Sequence, residues 1–149
     1  FTGQVSRFLG PYFAFPYNGT AYLQTFPSLQ VAFEFLDGSL FDMYSVDLTE
    51  FGLGDPPTTV RFLGYRPDGS FIATEFITAG IRDDNGRPAF QTFHFGPEFT
   101  GLSRVEIPGV DSGYSLDNLV IIVPEPSTGA LLLLGAALVN QRFLFRRRQ

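Results

Sequence analysis

Residues 58–78 read Thr58-Thr59-Val60-Arg61-Phe62-Leu63-Gly64-Tyr65-Arg66, then Pro67-Asp68-Gly69, then Ser70-Phe71-Ile72-Ala73-Thr74-Glu75-Phe76-Ile77-Thr78. Val60 and Phe62 alternate with Thr59 and Arg61, which is the period of a strand with one buried face. Proline presets one backbone dihedral of a turn, and glycine supplies one that other side chains disfavour. Pro67-Asp68-Gly69 therefore predicts a hairpin joining two strands.

The same grammar recurs on both sides. Val31, Phe33 and Phe35 alternate with Ala32, Glu34 and Leu36, and Asp37-Gly38 predicts a tight turn into a strand over Leu40 to Leu48. Asp55-Pro56-Pro57 and Asp83-Asp84-Asn85-Gly86 read as loops, with further strands over residues 89–95, 102–107 and 114–123. Before Thr128 no segment carries a helical apolar period over about 11 residues. About eight short strands at this spacing imply an all-β fold. Nothing signals barrel closure, so the expectation is a jelly-roll-like β-sandwich over residues 1–123. Its expected core is Phe33, Phe35, Phe41, Phe62, Phe76, Phe93 and Leu119.

Composition closes off several chemistries. The 149 residues include ten Arg and no Lys, fifteen acids, the single His94, and neither Cys nor Trp. Without Cys there is no thiol nucleophile, disulfide framework, iron–sulfur cluster or thiolate zinc site. Without Lys there is no Schiff base, and one histidine cannot build a multi-histidine metal centre within one chain. No Gly-x-Ser-x-Gly elbow, phosphate loop or dinucleotide fingerprint occurs. No enzymatic activity is expected. The 18 Phe, beside 16 Gly and 11 Pro, read as packing material for a β-rich core.

Charge divides the chain at its last strand. Residues 1–123 carry six Arg against fourteen acids, net −8, whereas residues 124–149 carry four Arg against Glu125, net +3. An acidic body is a poor surface for phosphates, so nucleic acid is not an expected partner. The basic cluster follows an apolar run, which is a pattern of membrane topology.

Pro124-Glu125-Pro126-Ser127-Thr128 precedes an apolar stretch over residues 129–139, including Leu131, Leu132, Leu133, Leu134, Leu138 and Val139. The prolines favour extended backbone, so the preceding strand is expected to stop there. Ser127 or Thr128 can cap a short hydrophobic helix. At 1.5 Å per residue the pure apolar run covers only about 16 Å, against a bilayer core of about 30 Å. Thr128 through Phe145 supplies 18 residues, but Asn140, Gln141 and Arg142 interrupt them. Arg142 can snorkel, and Arg146, Arg147 and Arg148 mark the cytoplasmic side. The span is marginal.

In this order the three parts resemble the PEP-CTERM sorting signal of bacterial surface proteins. The resemblance covers about the last 26 residues. It implies export, transient tethering in the inner membrane through the C-terminal helix, recognition of Pro124, Glu125 and Pro126 by exosortase, and delivery to the cell surface or extracellular matrix. Residues 124–149 are accordingly assigned to a sorting and anchor segment. Phe1 follows no initiator Met, basic region or apolar leader, so either a signal peptide has been removed or the sequence is a fragment; the expectation is a fragment whose body lacks an N-terminal part.

A second, looser resemblance lies in the body. Asn18-Gly19-Thr20-Ala21-Tyr22-Leu23, the stretch Gly38 to Leu48, Val60 to Gly64, Phe90-Gln91-Thr92-Phe93 and Leu116-Asp117-Asn118-Leu119 look like a jelly-roll ectodomain of PEP-CTERM proteins. The plan is similar to carbohydrate-binding and galactose-binding-like sandwiches, and it implies a fold more than a ligand. In such modules an acid at the place of Asp117 helps hold a structural Ca²⁺ with oxygens from the N-terminal region. Calcium takes about six to eight oxygens, and only Asp117 is matched. The other reading is a carboxylate hydrogen-bonded to a loop, with no cofactor. Asp117 is expected on the same face as Leu119.

The remaining candidates read as scaffold: Asp83, Asp84 and Asn85 as a turn, His94 as a strand residue, and Asn18-Gly19-Thr20 as a turn that also spells a glycosylation sequon. The body's expected role is a structural matrix component. The alternative is a module binding extracellular polysaccharide, for which Tyr12, Tyr17, Tyr22, Tyr44, Tyr65 and Tyr114 are candidate platform residues.

Overall fold

The computed structural model describes residues 15–124. These form eight strands: β1 (Leu23–Thr25), β2 (Val31–Phe33), β3 (Asp42–Glu50), β4 (Thr59–Tyr65), β5 (Phe71–Ile77), β6 (Gln91–His94), β7 (Arg104–Ile107) and β8 (Tyr114–Ile122). They build two four-stranded sheets, ordered β1-β8-β3-β6 and β2-β7-β4-β5. Every pairing is antiparallel. The pairs β1–β8, β2–β7, β3–β6 and β4–β5 are those of one long hairpin rolled into two layers, the jelly-roll connection. The expected C-terminal helix lies outside the described residues. Among those described, no helix is long and apolar enough to cross a membrane.

The quoted hairpin forms as read. Thr59 pairs with Ile77 and Tyr65 with Phe71, without a register shift. Gly69 takes a φ of 83° and donates its N–H to the Arg66 carbonyl at 3.0 Å, while Asp68 Oδ1 accepts from the Ser70 N–H. The Asp37-Gly38 turn also forms, with Gly38 N–H on the Phe35 carbonyl at 3.0 Å. It does not make a hairpin. β2 and β3 belong to different sheets, so this turn carries the chain across the sandwich. Turn chemistry specified the reversal but not the sheet of the next strand.

The core lies between the sheets, with Val31, Phe41, Val46, Leu48, Val60, Phe62, Leu102, Val105 and Ile107 buried. Of the seven expected core residues, Phe41 and Phe62 are fully inside. Phe33, Phe35, Phe76, Phe93 and Leu119 pack partly buried against them. Phe62, Phe76, Phe93 and Phe95 form a connected aromatic cluster, with the Phe76 and Phe93 rings stacked 5.0 Å apart. Phe99, in the β6–β7 connection, is completely buried against Phe95. Its own N–H closes a turn onto the Gly96 carbonyl, and its carbonyl accepts from Met43. Strand periodicity gave no reason to place a loop phenylalanine there.

Candidate functional site

The outer face of the first sheet gathers Asn18, Thr20, Asp47, Thr92, Asp117 and Asn118 into one polar network. β3 and β8 are out of step twice, between Met43 and Ser45 and between Ser45 and Asp47. The first shift leaves Tyr44 as an extra residue on β3. The second leaves an extra residue on β8, where Asn118 adopts a φ of 44°. Asparagine tolerates that left-handed conformation better than most side chains, and a bulge re-aims the residues beside it.

The bulge corrects the expected placement of Asp117. Alternation alone would put Asp117 on the same face as Leu119. With the extra residue between them, Leu119 packs against the core while Asp117 turns outward beside Asp47, its register partner on β3.

Each carboxylate is met by donors. Asp117 Oδ2 accepts from Asn18 Nδ2 at 2.6 Å and Thr20 Oγ1 at 2.7 Å, and Asp117 Oδ1 accepts from the Asn118 N–H at 2.8 Å. Asp47 Oδ2 accepts from Asn118 Nδ2 at 2.7 Å, and Asp47 Oδ1 from Thr92 Oγ1 at 2.6 Å. Asn18 Oδ1 in turn accepts from the Thr20 N–H and shares the single Thr20 hydroxyl proton with Asp117. Residues 18–20, β3, β6 and β8 thus converge on one hydrogen-bonded network. The sequon asparagine serves as a clasp between the start of the body and its last strand.

This arrangement bears on the calcium expectation. The groups facing Asp117 include the N-terminal partners that the resemblance implied, but they approach as amide and hydroxyl donors. Both carboxylate oxygens accept hydrogen bonds. Among the described residues no three acidic or histidine side chains converge on a common point.

Among the described residues the tyrosines do not share one face. Tyr22 and Tyr114 are buried, contrary to a role as platform residues, and burial raises both phenols above their ordinary value. Tyr65 is half-buried beside Phe71, and Tyr12 lies outside the described residues. Tyr17 is exposed beneath the Arg87 guanidinium, 5.2 Å from its ring centre. Tyr44 is 54% exposed, and His94 meets its ring edge-on at 5.6 Å.

The Asp83 loop is a turn held by its own arginine. Asp83 Oδ1 accepts from the Asn85 and Arg87 N–H groups, and Oδ2 from Arg87 Nε and Nη2 at 2.9 and 2.8 Å. Hydrogen bonding from the Arg87 backbone, against a desolvation penalty, holds this carboxyl below its ordinary range.

One charged residue escaped the sequence reading. Glu50, at the end of β3, is 1% exposed. Burial would raise its carboxyl, but hydrogen bonds from Thr78, its own backbone, the Gly80 N–H and Thr49 outweigh this and hold it below 4.5. The Gly80 bond is 2.8 Å, and Arg82 Nη1 lies 3.7 Å from the other oxygen. Glu50 therefore ties β3 to the loop after β5, a structural task. Its spacing from Arg82 gave no signal in a chain with acids scattered throughout.

In sequence the sorting residues Pro124 to Thr128 follow β8 after the single residue Val123. Of these, Pro124 is the last described residue, and it is exposed. Glu125 to Arg148, with the leucines and arginines assigned to membrane retention and topology, lie outside the described residues. No curated protein and no solved structure matches the chain. Residues 123–148 match the PEP-CTERM protein-sorting motif, the kind of signal that exosortase recognises in export and membrane-associated sorting.

Proposed function

We propose that the chain is an exported, non-catalytic protein of the cell surface or extracellular matrix, with a structural sandwich delivered by its C-terminal signal. The observation that carries this reading is the motif match over residues 123–148, which begins one residue after β8 ends at Ile122. β8 lies between β1 and β3 in its sheet, so pulling on the tail loads a central strand. Leu131 to Leu134 retain the precursor in the inner membrane, and Arg146 to Arg148 hold the far end in the cytoplasm. Pro124 and Pro126 keep the junction extended for exosortase. Processing separates the acidic body from the basic tail.

The test is fractionation of cells expressing the chain behind an export leader, in a host with exosortase. The expected result is a membrane-bound precursor followed by release of the body outside the cytoplasm. A body that stays cytosolic overturns the reading.

A second reading for the body is supported by Tyr44. An exposed aromatic ring on the same sheet face as the Asn18, Asp47, Thr92 and Asn118 network combines a stacking surface with hydrogen-bonding groups, as a glycan requires. Binding on a glycan array by the parent chain and its loss in Tyr44→Ala would favour this role. A blank array favours the structural one.

A further inference from the structure

The two sheets end in four edge strands, β1 and β6 on one and β2 and β5 on the other. An open edge presents unpaired N–H and C=O groups, and proteins commonly blunt such edges by shortening the strand, kinking it or adding proline or lysine. Three of the four are short: β1 and β2 have three residues and β6 has four. β5 has seven, reading Phe71-Ile72-Ala73-Thr74-Glu75-Phe76-Ile77. It contains neither proline nor lysine, its register with β4 runs unshifted from end to end, and Glu75 is its sole charge. That charge is accompanied by Arg61 of β4 at 3.7 Å.

The outward-facing groups of β5 follow from its ladder. Arg66 N–H bonds to the Ser70 carbonyl and Thr78 N–H to the Thr58 carbonyl, which fixes the alternation along the hairpin. Ile72, Thr74 and Phe76 direct their backbone groups at β4. Phe71, Ala73, Glu75 and Ile77 direct theirs at the open edge. The same four side chains lie exposed on the outer face, Phe71 at 60% and Ile77 at 62%. Among the described residues no strand pairs with this edge, and an apolar residue stands at each end of it.

We propose that β5 pairs with β5 of a second copy of this chain, antiparallel about a two-fold axis at Thr74, joining two four-stranded sheets into one of eight strands. The occupant is a second copy because the strand is complementary to its own reverse. The register that pairs all seven residues sets Phe71 opposite Ile77, Ile72 opposite Phe76, Ala73 opposite Glu75 and Thr74 opposite Thr74. Its hydrogen-bonded pairs are the odd-numbered residues, whose backbone groups already face outward. On the outer face each exposed phenylalanine meets an exposed isoleucine, an apolar cross-strand pair at both ends of the interface. The pairing is isologous and uses up the long edge, so assembly through it stops at two. It stands independently of the sorting reading.

The absence of cysteine makes the test direct. In the full-length chain in detergent, Thr74→Cys should give a disulfide-linked dimer under mild oxidation, since its symmetry mate is a close, non-hydrogen-bonded partner. Thr100→Cys, in the exposed β6–β7 connection, should stay free of the disulfide cross-link under the same conditions. Light scattering should give a dimer for the parent chain. Ala73→Pro removes an edge donor that β4 does not use, and by symmetry two interchain bonds, so dimerisation should weaken by about tenfold or more. Ala73→Lys, which retains the backbone donor and adds a charge to the edge, should act in the same direction, with circular dichroism reporting the fold of each. Cross-linking at Thr74 no greater than at Thr100, a monomeric parent, larger open-ended assemblies, or a dimer unaffected in both folded Ala73 variants would each overturn the proposal.

Discussion

Asp47 and Asp117 are register partners on β3 and β8, yet no donor is shared between their carboxylates except through Asn118. Asn118 gives its backbone N–H to Asp117 and its side-chain amide to Asp47. Two like charges opposite one another weaken a sheet unless each is compensated. Here the compensation comes from a bulge residue in a left-handed conformation and from a segment almost a hundred residues upstream, ending in Asn18 and Thr20. The network closes the body by joining its described start to its last strand.

Removing one of those carboxylates should therefore loosen the first sheet. Asp117→Ala leaves the Asn18 amide and Thr20 hydroxyl without their acceptor, at a cost of about 1–2 kcal/mol. Thermal unfolding should show a Tm lower by several degrees. Because the donors already satisfy Asp117, millimolar calcium should leave the parent's Tm unchanged. A calcium-dependent rise that vanishes in Asp117→Ala would mean that a cation replaces these hydrogen bonds.

Glu50 should shape the acid limb of stability. Its folded value lies below the ordinary 4.5, so the folded protein binds this proton less readily than the unfolded chain. The stabilisation is complete above about pH 4.5 and is lost as the pH falls through the lower folded value. Glu50→Gln should lower Tm most near neutrality, with the gap to the parent closing in acid. Asp37, Asp68 and Asp83 are also held low and keep an acid slope in both proteins. A gap independent of pH would assign Glu50 a purely steric role.

The phenylalanines divide by position rather than by number. Phe99 is fully buried in the core, and Phe99→Ala should cost about 3–5 kcal/mol of unfolding free energy in denaturant titration. Phe71 lies on an exposed sheet edge, and Phe71→Ala should change a monomer by less than about 0.5 kcal/mol. Equal losses would contradict the burial assigned to them.

These contrasts trace what the sequence could and could not express. The β4–β5 hairpin was legible because its turn, alternation and register are all local. The crossing at Asp37-Gly38 was not, since a turn signals reversal without naming the sheet that receives the chain. Asp117 was recognisable as an unusual acid on an apolar strand. Its true face was hidden by the bulge at Asn118, because a single extra residue reverses the parity of every position after it. Asp47, Asn18 and Thr92 joined the same network only through contacts far apart in sequence. The C-terminal signal was legible for the opposite reason: its parts act in linear order.

That linear order allows recognition and topology to be separated by mutation. Replacing Pro124, Glu125 and Pro126 together by Ala leaves the leucines at 131–134 and the terminal arginines intact, so membrane insertion should persist. Release should stop, with full-length protein accumulating in the membrane fraction of a host that has exosortase. Replacing Arg146, Arg147 and Arg148 by Glu should act earlier, because cationic residues near a span's end hold it on the cytoplasmic side. Protease accessibility of the tail in spheroplasts distinguishes the cases: the proline variant should keep its C-terminus protected, and the arginine variant should expose it or fail to insert. If both variants release the body as the parent does, residues 124–148 act as a linker and the sorting reading falls.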